Sequence, residues 1–126
     1  MMRFLTVLLA EDEPVISLEI RHILEEKGLQ VIEATEAQAI SEACEQYQPD
    51  LVLLNFKKRS QGDGMALAKA LKKRFESSFL FVTGARPQDM AASKDFETGF
   101  HILYKPFTPG QLWQTVELSL HPNLLP

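Results

Sequence analysis

Short apolar runs and longer amphipathic stretches alternate along this chain. Phe4 to Ala10, Leu51 to Leu54 and Phe79 to Val82 are almost continuously apolar, as expected for strands covered on both faces. Leu29 to Ala34 and Ile102 to Tyr104 read as two further strands. Between the first two runs, Ile16, Ile20, Ile23 and Leu24 recur at helical spacing, with Pro14 suited to the first turn and Gly28 to the stop. Thr35 is expected to cap a second helix through Ala39, Ile40 and Ala43, with Glu36 and Gln38 near its start. Met65, Leu67, Ala68 and Leu71 predict a third, ending in Lys72-Lys73-Arg74, whose charges suit the negative end of a helix dipole. Pro87 to Phe96 predicts a weaker helix, rich in Ala, Ser and Asp. Thr108-Pro109 opens the last, with Leu112, Val116 and Leu120 at core spacing.

Strand and helix in strict alternation predict an α/β domain with an open parallel sheet and right-handed crossovers. Ligands of such sheets sit outside the carboxyl ends of the strands. Four predicted strand ends carry polar groups: Glu11-Asp12-Glu13 after the first, Asn55 on the third, Thr83 on the fourth and Lys105-Pro106 after the fifth. These residues are expected to share one pocket.

Composition narrows the class. At 126 residues with 45% hydrophobic content, the chain has the size and material of one domain with one substantial core. A net charge of −4 argues against nonspecific nucleic-acid binding, and no basic recognition helix is present. No apolar run approaches the roughly 18 residues that span a bilayer, and Met1-Met2-Arg3-Phe4 lacks signal-peptide features. A cytoplasmic location is therefore expected. The lone Cys44 excludes an intrachain disulfide and is expected as a buried thiol in the second helix. His22, His101 and His121 have no partner at metal or catalytic spacing.

Five segments, in order and together, carry a family resemblance: Val7-Leu8-Leu9-Ala10-Glu11-Asp12-Glu13-Pro14, Pro49-Asp50-Leu51-Val52-Leu53-Leu54-Asn55, Asp63-Gly64, Phe81-Val82-Thr83-Gly84-Ala85 and Lys105-Pro106-Phe107. With them the chain resembles the receiver domain of two-component response regulators over nearly its whole length. The resemblance implies a flavodoxin-like (βα)5 three-layer sandwich of sheet order 2-1-3-4-5, spanning residues 1–121 as one domain with a short tail, 122–126. It implies that Glu11 and Asp12 match the acidic pair that binds Mg²⁺, with Lys57 offering a backbone carbonyl to the metal. It places Asn55 where the family has its phosphoacceptor aspartate. Thr83, Lys105 and a cis Pro106 match the groups that contact the phosphoryl oxygens. The face formed by the helix before the fifth strand, that strand and the last helix is the family's output surface; Ile102, Tyr104, Trp113 and Leu118 are its candidates here.

The departures change the expected chemistry. A neutral amide is a far poorer nucleophile than a carboxylate, so Asn55 removes the acceptor. Ile102 stands where the family's mobile aromatic would be. The loop after Asn55 carries Lys57-Lys58-Arg59 and is one residue longer than the common form. Glu11, Asp12, the Lys57 carbonyl and the Asn55 amide oxygen are still hard-oxygen donors, so Mg²⁺ can be held, though with one carboxylate fewer and weakly. A basic side chain could instead neutralise the acidic pair, and Lys105 is expected to pair with Asp12 or hydrogen-bond Asn55. No cofactor is required.

The function implied is a stand-alone, receiver-like signalling module of a phosphorelay system, not an enzyme, working by protein contact without phosphorylation. Its expected partners are a histidine kinase, a phosphotransferase or an effector, or a second copy, with no nucleic acid and no membrane. Two alternatives stay open. One is an ordinary phospho-accepting receiver with its aspartate substituted, or using another acceptor, for which Ser60, Asp63 and Thr83 have suitable chemistry but no motif. The other is a flavodoxin-like small-ligand binder, against which stands the absence of a Gly-rich phosphate loop after the first strand.

Overall fold

The structure, a computed structural model, describes residues 4–55, 61–84 and 100–120, with only the backbone of 61–65. Its elements follow the alternation of the sequence: β1 (Thr6–Ala10), α1 (Pro14–Glu26), β2 (Gln30–Glu33), α2 (Ala37–Tyr47), β3 (Leu51–Asn55), α3 (Gln61–Arg74), β4 (Ser78–Thr83), β5 (His101–Tyr104) and α4 (Pro109–Leu120). The five strands are parallel, in the order β2-β1-β3-β4-β5. This is the flavodoxin-like order. The expected helix Pro87–Phe96, the Lys57–Arg59 loop, Ser60 and the tail 122–126 lie outside the described residues.

Strand alternation sorts the core into two layers. Leu8, Val52, Leu54, Phe79 and Phe81 pack on one face of the sheet with Ile40, Ala43 and Cys44 of α2 and Ala68 and Leu71 of α3. Val7, Leu9, Leu51, Leu53, Leu80, Val82 and Leu103 pack on the other with Ile20 and Leu24 of α1 and Leu112 and Val116 of α4. The register aligns Leu8 with Val52 and Val52 with Phe79, so each layer is continuous across the strands. Every residue of β3 is buried, which explains its unbroken apolar run. Cys44 is fully buried, and burial raises its thiol pKa, as expected of an inert structural cysteine.

Local chemistry sets the element ends. Pro14 begins α1, where its missing N–H costs nothing. At the other end Gly28 takes φ +85°, and Leu29 N–H donates to the Leu24 carbonyl while Gly28 N–H donates to that of Glu25. This pair of hydrogen bonds, with Leu24 and Leu29 in the same apolar layer, is a Schellman stop. Helix α4 opens with a reciprocal cap: Thr108 Oγ1 accepts from Gln111 N–H at 3.1 Å, and Gln111 Oε1 accepts from Thr108 N–H at 2.9 Å. The expected Thr35 cap is displaced. Glu36 occupies the N-cap of α2 and makes no side-chain capping bond.

Candidate functional site

The carboxyl edge of the sheet collects the polar groups that the sequence placed at strand ends. Glu11 directly follows β1, Asn55 ends β3 and Thr83 ends β4; all three are buried, at 4, 7 and 3% exposure, in a core otherwise almost wholly apolar. Lys105 follows β5, its N–H donating to the Thr83 carbonyl at 2.8 Å, and its bond to Pro106 is cis. The strand register explains the convergence. β1, β3, β4 and β5 are consecutive neighbours in a parallel sheet, so their ends line one edge.

The electrostatics of this edge are unbalanced. Glu11 Oε1 accepts from Glu13 N–H at 2.9 Å, but Glu11 Oε2 is buried without a hydrogen-bond partner among the described residues. The same holds for both Nδ2 and Oδ1 of Asn55. Burial raises the pKa of Glu11 above its ordinary value, and the Asp12 and Glu13 charges push the same way; the Glu13 N–H and the Lys105 ammonium pull it down. Lys105 thus acts on the Glu11 charge; of the two partners expected for it, Asp12 or Asn55, the Asn55 amide does not bond it. Asp12 and Glu13 are exposed beside Glu11, and one carboxylate oxygen from each lies within 4.8 Å of the others. Orphaned buried oxygens next to a carboxylate cluster fit a hard divalent cation such as Mg²⁺. Glu11, Asp12 and the Asn55 amide oxygen are the described donors; Lys57 lies outside the described residues.

A profile of the response regulator receiver domain matches residues 7–117. The chain belongs to that family. It is 28% identical over 115 residues to the transcriptional regulatory protein PdtaR of Mycobacterium tuberculosis, covering 90% of this chain and 56% of PdtaR. It is 28% identical over 116 residues to the phyllosphere-induced regulator PhyR of Methylorubrum extorquens, covering 90% of this chain and 43% of PhyR. The chain therefore spans about half the length of these relatives. Its fold is that of the Erythrobacter litoralis PhyR receiver domain, with a TM-score of 0.79 at 22% identity over 98% of this chain and 95% of the other. A receiver domain from Clostridium thermocellum gives a TM-score of 0.77 at 22% identity, over 94% and 96%. The receiver is thus a two-component signalling module.

The candidates for the receiver's output face divide between the two layers of the core. Ile102 and Tyr104 are half-buried against the α2/α3 layer, while Trp113 packs on the opposite layer. The Lys27 ammonium lies 5.4 Å from the centroid of the Trp113 ring, so this indole meets the end of α1. Leu118 is half-buried on α4.

Two features escaped the sequence reading. The first is a polar clamp of α1 on β2: buried Ser17 donates to Glu33 Oε1, and Arg21 bonds Glu33 Oε2 at 2.6 Å and Glu25 at 3.0 Å. The Ser17 hydroxyl, then Arg21, holds the Glu33 carboxyl below its ordinary pKa. Nothing in the local sequence joins residues 17 and 33. The second is a pair of solvent-facing aliphatic residues on α1, Val15 and Leu18, at 79 and 68% exposure. Their three-residue spacing was a readable signal. A cleft of about 720 Å³ at the amino edge of the sheet, between Leu5, Asp50, Arg74 and Ser77, lies at the opposite end from the acidic cluster and is not the place where open α/β sheets bind ligands.

Proposed function

We propose that this receiver signals by protein contact and does not take a phosphoryl group on the usual residue, because Asn55 occupies the acceptor position. The observation that carries the reading is the buried Asn55 at the end of β3, at the same sheet edge as Glu11, Thr83 and Lys105. An amide oxygen there has neither the charge nor the nucleophilicity to attack a phosphoryl donor. The groups that would surround a phosphoryl group are nevertheless retained. Glu11, Asp12 and the Asn55 oxygen would hold Mg²⁺ weakly, where its charge would offset the buried carboxylate. Lys105 supplies part of that compensation in the chain itself. With no acceptor, the domain is read as held in one signalling state. Its partners would be a histidine kinase, a phosphotransferase or an effector, with Ile102, Tyr104 and Leu118 as the proposed output face.

Intact mass after incubation with acetyl phosphate and Mg²⁺ tests this, beside Asn55→Asp. The expected result is a phosphoryl adduct on the variant and none on the natural chain. A stable adduct on the natural chain refutes the reading and sends the search to another acceptor.

A further inference from the structure

Among the described residues the sheet ends at β2, and the outer side of that strand has no partner. β2 pairs with β1 from Thr6↔Gln30 to Leu9↔Glu33, and no described strand lies beyond it. Gln30 N–H donates to the Leu5 carbonyl and Ala34 N–H to that of Leu9, so the backbone of Gln30, Ile32 and Ala34 turns to β1. By the alternation of a strand, Val31 and Glu33 then present their N–H and C=O groups outward, with the Val31 side chain turned into the core. Edge strands are usually guarded by a lysine, a proline or a bulge. β2 reads Gln-Val-Ile-Glu in continuous register and has none of them. Its one charge, Glu33, is held by Ser17 and Arg21 of α1.

Beside this edge α2 leaves a groove of about 420 Å³. Its apolar lining is Ile32 of β2 with Ala39 and Ala43 of α2, which stand one helical turn apart. Alanine at both helix positions leaves room for a side chain of a further strand. Tyr47, one turn on, is 49% exposed and lines the same groove. The charges around the groove select its occupant. Glu36 and Glu42 line it, both exposed, and no Lys, Arg or His does so among the described residues. Glu42 accepts from the neutral Gln38 amide at 3.1 Å, which leaves its charge uncompensated. An exposed aromatic ring beside two carboxylates suits cationic side chains, by charge and by cation–π contact. A second copy paired edge to edge would bring the same carboxylates against one another, which is unfavourable.

We propose that the outer edge of β2, with the groove of α2, takes an extended basic segment of a partner protein as an added strand. Val31 and Glu33 give the backbone pairing, Ala39 and Ala43 receive an apolar side chain, and Glu36, Glu42 and Tyr47 select Lys or Arg. The proposal rests on the reading that this receiver acts by protein contact, and it adds a surface and the chemistry of the partner. Strand addition here needs no phosphoryl group, because β1 stands between β2 and β3 and the edge is displayed whatever occupies the strand-end pocket.

The probe is a fluorescein-labelled peptide of alternating Val and Lys, titrated by anisotropy against the whole chain without phosphodonor. The same peptide N-methylated throughout and an isosequential Val/Glu peptide are the controls. Saturable binding of the Val/Lys peptide is expected, about tenfold weaker once N-methylation removes its backbone donors. Severalfold losses are expected for Ala39→Gln, which fills the groove, and for Glu36→Gln combined with Glu42→Gln, with the circular dichroism of both variants unchanged. Equal affinity of the N-methylated peptide would refute strand addition, and equal affinity of the Val/Glu peptide would refute the charge argument. Unchanged affinity in either variant would refute the site, and no saturable binding of the Val/Lys peptide would overturn the proposal. Sedimentation showing a dimer that Ala39→Gln dissociates would assign the edge to a second copy and overturn it as well. None of these outcomes alters the acetyl phosphate mass result, so failure of the strand edge is separable from failure of the functional reading.

Discussion

Replacing Asn55 by leucine should make this protein more stable, although asparagine occupies the position. Asn55 is 7% exposed, and neither its Nδ2 nor its Oδ1 finds a hydrogen-bond partner among the described residues. A buried amide left unsatisfied costs about 1–3 kcal/mol. Leucine has the same number of side-chain heavy atoms and the same branching, with bulkier methyl ends, presents no polar atom, and would join Leu51 and Leu53 of the same strand face. The expected gain for Asn55→Leu in metal-free buffer is therefore about 1–3 kcal/mol, a sizeable fraction of the roughly 5–15 kcal/mol of a typical domain. Urea unfolding followed by circular dichroism reads it directly. With a slope of about 1–3 kcal/mol/M, the midpoint should rise by about 1 M at unchanged slope. A loss of 1 kcal/mol or more would refute the reasoning, because the amide would then be bonded in solution. Repeating the measurement with Mg²⁺ separates the two roles of the residue. Stabilisation of the natural chain by Mg²⁺, absent or reduced in Asn55→Leu, is expected if the amide oxygen is a cation ligand.

Two further substitutions test what holds α1 in place. Ser17→Ala should cost about 1 kcal/mol, the usual worth of one hydrogen bond, by removing the buried hydroxyl that donates to Glu33. Its pH signature has a definite sign. The folded-state pKa of Glu33 is lowered, so the stability it contributes is present above the unfolded value of 4.5 and is lost as pH falls through the folded value. Ser17→Ala should flatten the stability profile below pH 4.5, as read by thermal melts across that range. An unchanged profile would mean that Arg21 alone sets the Glu33 charge. Gly28→Ala should cost about 1 kcal/mol through backbone strain alone, since φ is +85° while nothing lies within 4 Å of the added Cβ. A neutral result in urea unfolding would show that the stop of α1 relaxes to another geometry.

Among the described residues, the sequence alone determined the elements and their order, because each is written in local periodicity. Strand and helix patterns alternate with Pro14 and Gly28 as boundaries, and parallel βα units leave few sheet topologies to choose from. It also put Glu11, Asn55, Thr83 and Lys105 at strand ends, which in a parallel sheet is enough to bring them to one edge. Caps were less legible. Thr35 has the chemistry of an N-cap, yet α2 begins one residue later, behind Glu36.

Tertiary structure decided everything that depends on which groups meet after burial. No spacing rule joins Ser17 to Glu33 across 16 residues; the packing of α1 on β2 does. The sequence offered Lys105 as a partner for Asp12 or Asn55; among the described residues the fold leaves the Asn55 amide unbonded and lets the Lys105 charge act on Glu11. The sequence offset Trp113 from the core stripe of the last helix, and the packing of α4 beside α1 supplied its neighbour Lys27. The physical reason is the same in each case. Periodicity records which side of an element is apolar. The partner of a polar or aromatic group is fixed by the relative placement of elements distant in sequence, and that is a property of the packed fold alone.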